Sequence, residues 1–126
     1  MRTTLFLADD DEEDIELFTD ILSDISPDIN ISVASNGIML MSLLDQATEL
    51  PDYIFLDLNM PLKTGFECLE EIKSSEKWKQ IKTVVLSTSS HPDQIEEMYK
   101  MGAYLYLKKP NSYREFKDTL SRCLKM

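Results

Sequence analysis

The chain is poor in the residues that mark several large classes of function. It has two cysteines, one histidine, and 13 lysines and arginines against 23 aspartates and glutamates. Cys68 and Cys123 lie far apart, form no CxxC pair and both fall on helical patterns. They read as reduced thiols in or near the core of a cytoplasmic protein. His91 has no second metal ligand or nucleophile near it in sequence, which leaves it a helix cap or a plain surface residue. No apolar run approaches the length that spans a bilayer, and the first residues carry no signal-peptide pattern, so no membrane insertion is expected. The formal net charge of −10 repels nucleic acid. It favours solubility, a divalent cation or a basic partner. Internal repeats, low-complexity tracts and linkers are also missing. At 126 residues and 43% hydrophobic composition, the chain suits one domain with a proper core.

What is present is a series of short apolar runs, several of which end on a polar residue. Tyr53-Ile54-Phe55-Leu56 runs straight into Asp57, followed by Leu58-Asn59 and a Met60-Pro61 stop. A near-continuous apolar run predicts a strand buried on both faces, in the middle of a parallel sheet. Such a strand has little use for a charge, so Asp57 either sits at its open end or has a strong reason to be inside. Ligands bind outside the carboxyl ends of strands in open α/β sheets, and Asp57 lies at that end.

The rest of the chain repeats the pattern. Thr4–Ala8 ends at Asp9-Asp10, and Ile15, Phe18, Ile21, Leu22 and Ile25 then recur at helical spacing. Asp11 to Asp14 read as a solvated first turn whose carboxylates suit the positive end of the helix dipole. Ile29, Ile31 and Val33 alternate with polar residues, which predicts a half-exposed edge strand. Asn36-Gly37 marks a turn or a helix entry, and Ile38, Leu40, Met41 and Leu44 supply the second helix face. Leu62-Lys63-Thr64-Gly65 is a loop before a third helix carrying Phe66, Leu69 and Ile72. Trp78 falls in the connection after it, at the end of the sheet opposite Asp57. Thr83–Leu86 is a fourth strand ending at Ser87. Pro92 suits the first turn of a fourth helix capped by Ser90 or His91. Tyr104–Leu107 alternates, predicting the other edge strand, and ends at Lys108-Lys109-Pro110. A last helix turns Tyr113, Phe116, Leu120, Cys123 and Leu124 inward. Five strands alternating with five helices predict a parallel sheet covered on both faces.

In such a sheet the polar strand ends, Asp9-Asp10, Asp57, Ser87 and Lys109, share one edge. Carboxylates that close repel strongly and need neutralising. A hard divalent ion such as Mg²⁺ fits, and lysine adds a second positive charge. A metal, a lysine, a hydroxyl and a carboxylate nucleophile together suit phosphoryl transfer, in which the protein mainly positions groups and neutralises charge.

At these residues the chain resembles the response-regulator receiver domains of two-component signalling, CheY-like modules that accept a phosphoryl group. The resemblance runs from first strand to last helix. It rests on Leu7-Ala8-Asp9-Asp10-Asp11, Leu56-Asp57-Leu58-Asn59-Met60-Pro61 with Gly65, Leu86-Ser87, and Tyr106-Leu107-Lys108-Lys109-Pro110. Each motif alone is weak; four in order, each at an expected strand end, are specific. The resemblance implies a flavodoxin-like, doubly wound (βα)5 fold with strand order 2-1-3-4-5. It implies that Asp57 takes a phosphoryl group from a phosphohistidine, becoming an aspartyl phosphate. Mg²⁺ would be held by Asp10, Asp57 and the main-chain carbonyl of Asn59, with Asp9 helping through water. Lys109 would pair with a phosphoryl oxygen, its bond to Pro110 cis, and Ser87 would donate its hydroxyl. Tyr106 would then move from outward to inward, reshaping the face made by the fourth helix, fifth strand and fifth helix, where a downstream protein partner docks.

Two positions depart from the commonest pattern of that family. Ser87 stands where threonine is usual, keeping the donor and losing a methyl. Thr88 stands where alanine or glycine is usual, which should narrow access to Asp57. Small Ser89 should leave water a path to the site. The resemblance thus implies a stand-alone receiver over residues 1–126, a cytoplasmic phosphoprotein served by a histidine kinase, a hybrid kinase or a phosphotransfer protein. The Lys109-Pro110-Asn111-Ser112 entry to the last helix looks like that of single-domain receivers paired with hybrid or phytochrome-type kinases. A receiver catalyses only its own phosphorylation and dephosphorylation and is not a conventional enzyme. Two competing readings are a constitutive docking pseudo-receiver and a Mg²⁺-dependent hydrolase. The complete set of Asp9, Asp10, Asp57, Ser87 and Lys109 opposes the first. Asn59, where such hydrolases carry a second aspartate, opposes the second.

Overall fold

A computed structural model describes residues 3–110 and 112–124. Its elements alternate strictly: β1 (Thr4–Ala8), α1 (Glu12–Ile25), β2 (Asn30–Ala34), α2 (Gly37–Gln46), β3 (Tyr53–Asp57), α3 (Gly65–Ser74), β4 (Lys82–Ser87), α4 (Pro92–Lys100), β5 (Leu105–Lys108) and α5 (Tyr113–Leu124). All neighbouring strands pair in parallel, in the order β2-β1-β3-β4-β5. The fold is therefore the doubly wound, flavodoxin-like one expected. The two alternating strands are its edges, and β2 and β5 are the least buried of the five.

The period-2 alternation of strand side chains splits the core into two layers. Phe6 and Ala8 of β1, Ile54 and Leu56 of β3 and Val85 of β4 face α2, α3 and Met98 of α4. Leu5, Leu7, Phe55, Val84 and Leu86 face α1 and α5. On that second face the Phe18 ring meets Phe55 and Phe116 edge-on, with centroids 5.0 and 5.8 Å away, and so ties α1 and α5 to the central strand. Trp78 lies between α3 and β4, at the edge opposite Asp57, and is buried in the first layer. Cys68 and Cys123 are buried and unpaired, and burial pushes both thiols up, Cys68 to about 11. Buried, unbridged thiols agree with the expectation of reduced cysteines in or near the core.

Helix entries follow local chemistry. Asp11, Asn36 and His91 cap α1, α2 and α4 with side-chain acceptors, and Thr64 and Glu67 form a reciprocal capping box on α3. The connection from β3 to α3 is tight. Leu62 takes a left-handed φ of 68°, and the Gly65 N–H returns to the Leu58 carbonyl at 3.1 Å. A Cβ on Gly65 would stand 2.3 Å from the Asp57 carbonyl oxygen and 2.7 Å from Leu58 Cα. Only glycine lets the start of α3 lie directly against the strand end that carries Asp57.

One expectation is corrected. The Lys109–Pro110 bond is trans, not cis. The ladder bond from the Lys109 N–H to the Ser87 carbonyl (2.7 Å) and the ion pairs of the lysine side chain are all made with the bond in its lower-energy isomer. Asn111, in the entry to the last helix, lies outside the described residues.

The close approach at Gly65 is open to test. Gly65→Ala is expected to lose about 1–3 kcal/mol of stability in urea unfolding, the usual range for overpacking against an unyielding backbone. Stability equal to the parent's would show that α3 moves away without cost.

Candidate functional site

Parallel pairing brings the polar strand ends together. Ala8 pairs with Leu56, so Asp9 follows β1 just beside the place where Asp57 ends β3. Asp57 pairs with Leu86, so Ser87 follows alongside, and Ser87 pairs with Lys108, one residue before Lys109. The ladder continues one step past several strands: the Asp9 N–H reaches the Ala34 carbonyl at 3.0 Å, and the Leu58 N–H reaches that of Leu86 at 3.3 Å. The site therefore stands on rigid backbone rather than on free loops.

Asp9 and Asp57 are almost fully enclosed, at 2% and 5% exposure, whereas Asp10 is open to solvent. Carboxylate oxygens of Asp9, Asp10 and Asp57 lie within 4.8 Å of one another. The Lys109 ammonium enters this group, 3.0 Å from Asp9 Oδ2, 2.9 Å from Asp14 Oδ2 and 3.6 Å from Asp57 Oδ1. Backbone donors hold the carboxylates in place. The Asp11 N–H donates to Asp9 Oδ1 at 3.0 Å and the Asn59 N–H to Asp57 Oδ1 at 3.4 Å. A cleft of about 320 Å³ opens onto Asp57 and is lined by Asp10, Asp11, Asp14, Asn59, Thr88 and Lys109.

Burial foremost raises the Asp57 carboxyl, to about 6, with the charges of Asp9 and Asp10 adding to the rise and Lys109 and the Asn59 N–H opposing it. Burial works against the Lys109 charge, but hydrogen bonds to Asp14 and Asp9 and the charge of Asp57 hold the ammonium above its ordinary value. The arrangement is a nucleophile-sized carboxylate in an open cleft, a set of oxygen donors suited to a hard cation, and one lysine able to pair with an anion.

Ser87 is buried at the end of β4 and does not itself line the cleft. Its Oγ accepts from the Ser89 N–H at 3.1 Å and from Gln94 Nε2 at 3.3 Å. Tyr106 already stands inward, half-buried and packed against the first core layer. Its hydroxyl donates to the Ser89 carbonyl and accepts from Gln94 Nε2, both at 2.8 Å. Thr88 is exposed and borders the cleft, as its expected effect on access requires. Lys108 is an exposed edge-strand lysine.

Two residues of this constellation escaped sequence reasoning. Asp14 reads as one more first-turn acid, yet it pairs with Lys109, and no spacing in the sequence links the two. Gln94 carries no sequence signal at all, because its partners, Ser87 and Tyr106, lie on two other segments.

The sequence profile of the response regulator receiver domain matches residues 5–121. Response regulator Rcp1 of Synechocystis sp. is 32% identical over 116 residues, covering 88% of this chain and 79% of that protein. The crystal structure of the phosphorylated cyanobacterial phytochrome response regulator RcpA superposes with a TM-score of 0.90 at 31% identity, covering 98% of this chain and 91% of that one. The Mn(2+)-bound form of Rcp1 superposes with a TM-score of 0.85 at 29% identity, covering 95% and 90%.

The raised Asp57 carboxyl has a consequence for stability. The folded state binds the Asp57 proton more tightly than the unfolded chain does. The stability this contributes is complete below the ordinary carboxyl range and is lost as pH rises through about 6. In metal-free buffer near neutral pH, Asp57→Asn is expected to be more stable than the parent by about 1–3 kcal/mol, and the gap should close as the buffer is acidified below the ordinary carboxyl range. Urea melts of the two proteins across that range check this; a gap independent of pH would contradict it.

Proposed function

The chain belongs to the response regulator receiver domain family, and from that premise we propose that residues 1–126 work as one receiver that accepts a phosphoryl group on Asp57. The donor is a phosphohistidine on a histidine kinase, a hybrid kinase or a phosphotransfer protein. An Asp57 carboxylate oxygen forms the new bond to phosphorus. The bond from phosphorus to the imidazole nitrogen breaks, and that nitrogen keeps the electron pair and takes up a proton. Water later cleaves the aspartyl phosphate, so the protein acts on itself alone and turns over no separate substrate.

The observation that carries this reading is the meeting of the Asp9, Asp10 and Asp57 carboxylates within 4.8 Å at a cleft shared with Lys109. An all-oxygen donor set of this kind fits a hard divalent cation, and Mg²⁺ is the proposed cofactor. Asp10, Asp57 and the main-chain carbonyl of Asn59 would hold it, with Asp9 assisting largely through water. When bound, the ion neutralises charge on the phosphoryl oxygens. Lys109, already 3.6 Å from Asp57, pairs with one of those oxygens, and Ser87 donates its hydroxyl to another. The similar structures of a phosphorylated RcpA and of an Mn(2+)-bound Rcp1 support both halves of the proposal.

Output passes through the α4-β5-α5 face to a protein partner. Tyr99 on α4, Tyr104 just before β5 and Tyr113 on α5 are among the exposed large side chains there. Tyr106 is the proposed switch on the same face. The acidic balance argues against a nucleic-acid partner. Among the described residues no helix is long and apolar enough to cross a membrane, which fits the proposed cytoplasmic location.

Intact-mass spectrometry after incubation with acetyl phosphate and Mg²⁺ tests the reading. A single phosphoryl adduct is expected, lost in Asp57→Asn and in EDTA, and slowed by about tenfold or more in Lys109→Met, the cost of an unneutralised phosphoryl charge. In the same assay Thr88→Ala should label faster. If the parent protein takes no adduct from acetyl phosphate or from a phosphohistidine donor, the reading is wrong and a docking module that does not cycle replaces it.

A further inference from the structure

The hydrogen bonds around Gln94 have a fixed direction. A tyrosine hydroxyl has one proton, and that of Tyr106 goes to the Ser89 carbonyl at 2.8 Å. Toward Gln94 the same oxygen can therefore only accept, so Gln94 must present its amide NH₂ rather than its carbonyl. Nε2 lies 2.8 Å from the Tyr106 oxygen and 3.3 Å from Ser87 Oγ. One of its protons serves each. Ser87 Oγ also accepts the Ser89 N–H at 3.1 Å, which occupies both lone pairs of the hydroxyl. The Ser87 proton is then its one unused hydrogen-bonding function among the described residues. It sits at the end of β4, directly beside the strand that ends in Asp57.

The chain of donors thus reads the position of Tyr106 into the direction of the Ser87 proton. With Tyr106 inward, its bond to Ser89 orients Gln94, and Gln94 leaves the Ser87 proton unspent and free to be donated to a phosphoryl oxygen. With Tyr106 outward, Gln94 is free to rotate and can offer its carbonyl to Ser87, which then spends its proton on Gln94. We propose that Gln94 is a positioning residue that couples the Tyr106 ring to the phosphoryl-binding strength of Ser87. The proposal rests on the phosphoacceptor reading above and adds to it the physical link between site and output face. Because linkage is reciprocal, the same bonds let an anion at Asp57 favour the inward ring.

Gln94→Glu is the sharpest test, since it keeps the shape and removes the donors. A carboxylate at that position draws the protons of both Ser87 and Tyr106 onto itself. Beryllofluoride, a phosphoryl mimic, is titrated in Mg²⁺ and followed by NMR for the parent, Gln94→Glu, Gln94→Met, Ser87→Ala and the double variant Ser87→Ala/Gln94→Glu. The expected result is about tenfold or greater weakening in Gln94→Glu, the weight of a charge-assisted hydrogen bond. A smaller loss is expected in Gln94→Met, which lacks the donors but adds no charge. In the Ser87→Ala background the Gln94→Glu loss should all but vanish, because the effect runs through Ser87. Tyr106 ring resonances should shift in both single Gln94 variants. A Gln94→Glu protein that binds beryllofluoride like the parent overturns the inference alone. So does a loss that persists undiminished without Ser87, which would be simple charge repulsion. Failure of the parent protein to bind beryllofluoride overturns the phosphoacceptor reading and this inference with it.

Discussion

Everything at the carboxyl edge of this sheet depends on one electrostatic problem, the enclosure of carboxylates too close together to be left alone. Asp9 and Asp57 are nearly buried, Asp10 is within reach of both, and Asp14 closes the group from α1. The Lys109 ammonium faces Asp9, Asp14 and Asp57. Four acids against one base leave a local excess of negative charge, which burial makes expensive. Burial is the main reason the Asp57 carboxyl is raised, and the charges of Asp9 and Asp10 add to the rise. A fold that wanted only stability would replace these groups with apolar ones. Retaining them supports a use for the unspent charge, and a divalent cation together with a phosphoryl group is the pairing that the donor set fits.

The rest of the fold serves to hold this arrangement in register. Strands β1, β3 and β4 are buried on both faces, so their pairing cannot slip without exposing core residues. Gly65 lets α3 abut the Asp57 carbonyl, and the Phe18, Phe55 and Phe116 cluster locks α1 and α5 to the same central strand. The lysine is placed from the far side by the ladder bond between its own N–H and Ser87. That bond also ties Lys109 to the segment where Ser87, Ser89, Gln94 and Tyr106 form their network, so the charged site and the aromatic edge share a strand end.

Much of this is legible in the residues alone. The Tyr53–Asp57 run had no reason to end on a carboxylate unless it ended at a site, and the alternating patterns of β2 and β5 marked the edges correctly. Asp9, Asp10, Asp57, Asn59 and Lys109 do meet at one cleft or on its immediate walls. What stayed hidden depended on tertiary distance. Asp14 looks like any acid in a helix first turn until Lys109 arrives from a residue 95 positions away. Gln94 is an ordinary polar helix residue until Ser87 of β4 and Tyr106 of β5 close around it. Tyr106 was expected to begin outward, but inward it gains two hydrogen bonds and core contact. The Lys109–Pro110 bond was expected cis by resemblance, yet the lysine reaches its partners with the bond trans.

The claim at the centre of this account is that the enclosed carboxylates form a cation site whose repulsion a divalent ion relieves. Thermal unfolding as a function of Mg²⁺ concentration tests it most directly. A site of this kind should raise the melting temperature of the parent protein in a saturable, single-site manner, gaining roughly 1–3 kcal/mol at concentrations about ten- to hundredfold above the dissociation constant. The rise should be absent in a variant with Asp10 and Asp57 both changed to Asn. A melting temperature that Mg²⁺ leaves unchanged, or raises equally in that variant, would contradict the account.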